Sequence, residues 1–149
     1  MFENWNSLGA FGKSKHKIDD INALLKKYDV DCLAGCETQA DWSYATEEEK
    51  FKKLFGLRQD TRFQVGYNTT EEKELRQRCQ YGGTAMMTLG RLSTFVIDSG
   101  TDFTGLGRWT WILVRSGDKR TQIIVAYQPS KPTKTSKGQT VFEQHQRYF

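Results

Sequence analysis

No apolar run in these 149 residues approaches the length of roughly 20 that crosses a bilayer, so no segment reads as a membrane-spanning helix. The opening Met1-Phe2-Glu3-Asn4 lacks the basic start and apolar stretch of a signal peptide, and an intracellular setting is the expectation. Cysteine is scarce. Cys32, Cys36 and Cys79 are an odd set without repeated C-x-x-C spacing, which argues for reduced thiols over a disulfide framework or a zinc site. Of two histidines, His16 lies in the basic stretch Lys13–Lys17 and His145 in a polar one. Neither has an acidic neighbour in sequence, so both read as surface residues and not as general bases. Acid is short in the last third, where residues 101–149 hold eight Lys/Arg against three Asp/Glu, within a net charge of +4. Such a balance fits either attraction to a polyanion or a solvated face.

Hydrophobic residues at 37% and charged residues at 27% describe a soluble globular chain, long enough for one domain with a core. Ile18, Ile21, Leu24, Leu25 and Tyr28 repeat at 3.6 residues and predict an amphipathic helix. The short apolar run from Val30 to Cys36 predicts a buried strand. Thr46-Glu47-Glu48-Glu49 is a capping-box pattern opening a second helix, and Thr69-x-x-Glu72 opens a third that runs to Arg78. Further strands are expected at Phe63–Tyr67, Gly83–Thr88 and Phe95–Ile97. The clearest hairpin joins Trp109–Arg115 to Thr121–Tyr127 through Ser116-Gly117-Asp118-Lys119. Pro129–Gln139 holds both prolines and three lysines and reads as a loop, with a helix beginning after Thr140. Helices and strands interleave without an internal repeat or a domain-sized linker, which gives a layered α/β architecture.

Several residues invite a chemical reading beside a structural one. Glu37 follows a buried strand, so its carboxylate emerges at the strand's C-terminal edge, where open α/β sheets place ligands. A lone carboxylate there suits Mg²⁺, which takes few protein ligands and keeps several waters. A helix N-cap or a surface charge fits the same segment. Asn4 and Asn6 alternate with Trp5 as strand residues do, and either orient a catalytic carboxylate or metal-bound water, or form a turn. Tyr127 ends a hydrophobic strand and is either a donor to a phosphate oxygen or a half-buried aromatic. Gly105-Leu106-Gly107-Arg108 leads into a strand and not a helix, which excludes a dinucleotide fingerprint. Arg108 then reaches a phosphate or forms a structural ion pair. Gly82-Gly83 allows close backbone packing. Of the four tryptophans, Trp42 is the one with a base-stacking reading beside the core reading.

In their order along the chain, these pieces resemble the endonuclease/exonuclease/phosphatase superfamily, which includes deoxyribonuclease I, the apurinic/apyrimidinic endonucleases and the endonuclease domains of non-LTR retrotransposons. Asn4-Trp5-Asn6-Ser7-Leu8 looks like the end of the family's first strand, and Glu37-Thr38 like its metal-binding Glu-Thr. Gly82-Gly83, Gly107-Arg108 and Tyr127-Gln128-Pro129 match later family motifs. The run Gly105–Trp111 and the late Gln144–Tyr148 look most like the mobile-element members. Two elements of the family pattern have no counterpart: the Asp-x-Asn that positions the attacking water, and the late Asp-His pair.

The resemblance implies a deoxyribonuclease I-like layered α/β sandwich reduced to about its first half, with residues 1–149 forming a partial domain. It implies Mg²⁺- or Mn²⁺-dependent hydrolysis of phosphodiester bonds in nucleic acid, DNA foremost, within a longer protein of mobile-element type. Glu37 then binds the metal with weaker help from Asn6, Asn4 orients the absent Asp, and Tyr127 stabilises phosphoryl oxygens. Arg108, Trp42, Lys131 and Lys134 are the candidates for contact with nucleic acid. This chain alone is expected to be inactive, with no membrane partner. A non-catalytic remnant or nucleic-acid-binding module, and a phosphomonoesterase of the same fold, are the competing expectations.

Overall fold

Helix α1 (Lys15–Lys27) forms where the apolar spacing placed one. Its buried Ile18 and Ile21 and partly buried Leu25 lie against a sheet, while Asp19, Asp20, Lys26 and Lys27 face water. The helix ends in a left-handed residue, Asp29, at φ 48°, and Val30 N–H closes back on Leu25 C=O at 3.1 Å. That 6→1 bond is a Schellman stop, with Lys26 and Lys27 in the last turn favoured by the helix dipole. The structure is a computed structural model that describes residues 1–5, 15–40, 42, 49, 52–53, 61–67, 69 and 82–127.

Seven strands make two sheets among these residues. The first joins β1 (Phe2–Asn4), β2 (Cys32–Cys36), β3 (Phe63–Gly66) and β4 (Thr84–Thr88) in the order β1-β2-β4-β3. β1 and β2 are parallel, and a parallel pair needs a crossover, which α1 supplies. The other pairings in this sheet are antiparallel. The second sheet is the meander β5 (Val96–Thr101), β6 (Trp109–Ser116) and β7 (Lys119–Ala126). A single helical turn, α2 (Leu92–Phe95), leads into β5.

Alternation along the strands divides the core in two. Leu33, Ala85 and Met87 face α1 together with Trp5, Ala40 and Trp42. Ala34 and Met86, one residue out of phase, face the second sheet and meet Ile112 and Val125. β4 is buried along its whole length because it is covered on both faces. The architecture is therefore layered α/β and mostly sheet, with the helix outside, the four-stranded sheet in the middle and the three-stranded sheet beyond it.

The sequence expectations for α1, β2, β3, β4 and the β6–β7 hairpin match these elements. The strand expected at Phe95–Ile97 begins one residue later and runs to Thr101, after the turn of α2. The helices expected from Thr46 and beyond Thr69 fall largely outside the described residues, as does everything after Tyr127. No helix among the described residues is long and apolar enough to cross a membrane. Cys32 and Cys36 are free thiols.

Gly35 shows how tightly the α1-facing layer is packed. A Cβ there meets the Trp5 indole at 2.3–2.7 Å, and Trp5 itself is only 1% exposed. Gly35→Ala is expected to cost about 2 kcal/mol by overpacking, read as a lower urea midpoint, and a smaller ring in Trp5→Phe should recover part of that loss.

Candidate functional site

Five strand ends converge on one rim. In register, Asn4 lies beside Cys36 and Cys36 beside Thr84, so the exits of β1 and β2 and the entry of β4 share an edge. Trp109 lies beside Ala126, which brings the entry of β6 and the exit of β7 to one edge of the second sheet. Tyr127 bridges the two, because its ring lies against Gly82 and its phenol lies close enough to the Glu37 carboxylate to be raised by it.

Glu37 leaves β2 in the left-handed region, at φ 56°, which a side chain with a Cβ rarely adopts and which costs on the order of 1 kcal/mol. The backbone after it offsets that cost. Thr38 N–H donates to Gly83 C=O at 3.3 Å and Gln39 N–H to Gly82 C=O at 2.9 Å. Both acceptors must be glycine. A Cβ on Gly83 lies 2.4 Å from Thr38 Oγ1, and one on Gly82 lies 3.1 Å from the Tyr127 ring, with φ at +84° and +76° respectively. The glycine pair thus lets the Glu37 turn approach β4 while Tyr127 rests on it from the other side. Thr38, fully buried, accepts the Trp42 indole N–H at 3.2 Å and ties this turn to the core.

Burial, the Glu37 hydrogen bond and the Glu37 charge together push the Tyr127 phenol up to about 12, so it is a neutral donor at ordinary pH. Burial and then the Glu37 charge also raise the Cys36 thiol. The Tyr127 N–H donates to Arg108 C=O at 2.7 Å, which fixes where β7 ends relative to the loop before β6.

Arg108 realises the structural one of its two sequence readings. It is 2% exposed, and its Nε lies 2.9 Å from Asp102 Oδ2. The same carboxylate accepts the Arg108 backbone N–H at 3.0 Å, the Thr104 N–H at 2.9 Å and the Thr104 hydroxyl at 2.6 Å. Burial alone raises Asp102, but the bonds from Arg108 and Thr104 outweigh it and hold the carboxyl at about 2. With its charge matched inside the fold, Arg108 is a support of the rim, and the geometry gives its phosphate-contact reading no help. Trp42 likewise takes its core reading. It is buried, edge-to-face with Phe63 at 5.5 Å, and leaves no ring face for a base. Asn4 is exposed at the end of β1, one register step from Glu37. Asn6, Lys131 and Lys134 lie outside the described residues.

Among the described residues no group of three or more His, Cys, Asp or Glu is gathered in one place. Among the described residues the rim offers one half-exposed carboxylate, Glu37, with the Asn4 amide on the adjoining strand. That donor set fits a hard cation such as Mg²⁺ that keeps most of its waters, and does not fit a metal needing three or four nitrogen or sulfur ligands.

No family model matches the chain, and a comparison with curated proteins gives no match either. The family resemblance rests on the sequence motifs alone.

Two residues of consequence here carried no sequence signal that was read. Asp102 stands six residues before Arg108 in an Asp-x-Thr turn pattern, and Phe103 is an aromatic amid polar and glycine residues. Aspartate–arginine spacing with an intervening turn was the available clue.

The Asp102 pair sets an acid limit on stability. Its folded-state value lies below the unfolded one of 3.8, so its contribution is complete above pH 4 and is lost as pH falls through about 2. Asp102→Asn, which strands a buried guanidinium, is expected to cost about 3 kcal/mol at pH 7 and to flatten the decline in urea midpoint between about pH 4 and 2.

Proposed function

We propose that this rim is part of a Mg²⁺- or Mn²⁺-dependent site for phosphodiester hydrolysis in nucleic acid, with DNA as the foremost substrate. The layered fold is then the portion of a deoxyribonuclease I-like sandwich that carries the metal-binding glutamate, within a longer protein of mobile-element type. The observation that carries this reading is the convergence of the Asn4, Glu37, Gly82-Gly83 and Tyr127 motifs on one edge, where Gln39 N–H bonds Gly82 C=O and the Tyr127 ring rests on Gly82.

A bound Mg²⁺ supplies charge neutralisation and Lewis acidity at the scissile phosphate. Glu37 would hold that cation. Asn4 would orient the polar groups beside it. Tyr127, a neutral phenol near Glu37, would donate a hydrogen bond to a phosphoryl oxygen where negative charge accumulates. Hydrolysis also needs a group that positions the attacking water and one that takes its proton. Asp102, the other acid at the rim, is committed to Arg108. That observation favours a second reading, binding of nucleic acid without cleavage.

Mn²⁺ titration followed by electron paramagnetic resonance tests the metal assignment. Wild-type chain should take up Mn²⁺ weakly, Glu37→Gln should lose that uptake, and Tyr127→Phe should keep it. Equal uptake by Glu37→Gln would show that the metal sits elsewhere. Supercoiled plasmid with Mg²⁺ separates the two readings. Nicking that disappears in Glu37→Gln supports hydrolysis, whereas salt-sensitive binding without nicking supports the binding module.

A further inference from the structure

Phe103 is 87% exposed, more than any other large apolar side chain described, on the loop that enters β6. Leaving a phenylalanine in water forgoes the gain of burying its ring, yet the loop that carries it is held firmly. Asp102 on one side of Phe103 and Thr104 on the other share hydrogen bonds at 2.9 and 2.6 Å, and Gly105 N–H donates to Asp102 C=O at 3.2 Å. Thr69 N–H ties Gly105 C=O from a separate segment at 2.7 Å. The ring stands edge-to-face on Trp109, with centroids 5.5 Å apart and planes at 60°. A T-shaped contact uses one edge and leaves a flat face open, with its orientation already fixed.

We propose that Phe103, backed by Trp109, is a stacking platform for a nucleobase of a nucleic-acid strand whose phosphate lies at Glu37 and Tyr127. The proposal rests on the phosphodiester reading of the rim. Trp109 is paired with Ala126, the residue before Tyr127, so the platform and the candidate phosphate contact are neighbours along one strand end. Trp109 and Tyr127 alternate across the sheet, which puts the platform on the outer side of the rim and the carboxylate on the inner side. A base can be splayed outward there while its backbone passes over the edge. Stacking needs no base-specific hydrogen bonds, so the platform grips unpaired bases of any sequence. The chain's net charge of +4 suits a polyanionic strand. Trp111 and the exposed Ile124 continue the outer face of this sheet, so a second copy of the chain is the competing occupant.

The test compares a short oligothymidylate with an abasic sugar–phosphate strand of equal length, titrated into the full chain and followed by tryptophan emission. Wild type should prefer the base-containing strand. Phe103→Ala should weaken that strand about tenfold, the scale of one base–aromatic stack, and leave the abasic strand unchanged, while Phe103→Tyr keeps wild-type affinity. Because the ring is exposed, its removal leaves the fold intact. Equal binding of both strands by Phe103→Ala and wild type overturns the platform, and so does a Phe103-dependent shift from dimer to monomer in sedimentation. Loss of oligonucleotide binding altogether, with Glu37-dependent Mn²⁺ uptake retained, overturns the platform and spares the metal reading. Phe103-dependent base binding without Mn²⁺ uptake does the reverse.

Discussion

The buried Asp102 carboxylate draws the backbone and side chains of both Thr104 and Arg108 around itself, and the rim takes its shape from that convergence. The 102–108 loop is fixed by it at both ends. Arg108, held by its own side chain, presents the carbonyl that receives Tyr127 N–H, and Tyr127 so placed reaches Glu37 on the other sheet. Phe103 and Trp109 inherit their orientation from the same loop. A buried ion pair contributes little net stability once desolvation is counted, but breaking it leaves a charge without compensation. Its value here lies in geometry, because it admits one arrangement of the loop and penalises the others.

A second constraint acts from the first sheet. Glu37 at φ 56° and Gln39 at φ 48° form a strained pair around buried Thr38. Strain of this kind persists only where the surroundings over-determine it, and it clusters at ligand sites more than elsewhere. Backbone bonds from Thr38 and Gln39 to the glycine pair do the over-determining, and the Thr38–Trp42 bond anchors the turn to the layer under α1. Two unrelated devices, a loop closed by an ion pair and a turn clamped on glycines, thus fix Tyr127 and Glu37 independently.

Local patterns were legible in the sequence, and contacts between distant segments were not. The 3.6-residue repeat from Ile18 gives α1, and the run before Glu37 gives β2, because each pattern records a single buried face. β5 was read only as far as Ile97 because Asp98, Ser99 and Gly100 carry no apolar alternation; the rest of the strand is held by backbone pairing to β6, with an irregularity between Val96 and Asp98. Arg108 and Trp42 had two readings each. The choice depended on Asp102 and on Phe63 and Thr38, partners that composition and spacing do not reveal. Glu37 and Tyr127 were each picked out for standing at the end of an apolar strand. That they touch is a property of how the two sheets pack.

The chemistry open to this rim follows from how few charges it holds. One carboxylate, the single one its described residues present to solvent, is a weak trap for a hydrated dication, since affinity for such ions grows with the number of anionic ligands. On the phosphodiester reading proposed above, a phosphodiester oxygen is the missing ligand most easily supplied, because the substrate would carry it. Metal and strand then bind better together than either does alone, and reciprocity requires that whatever tightens the strand also tightens the metal. An exposed ring outside the carboxylate serves that coupling. It adds affinity through the base, where no charge is needed, and leaves the inner side of the rim to the phosphate. Tyr127, its phenol raised to about 12, fits the same economy of charge: on that reading it would stabilise an oxygen anion without adding a cation that would repel Mg²⁺.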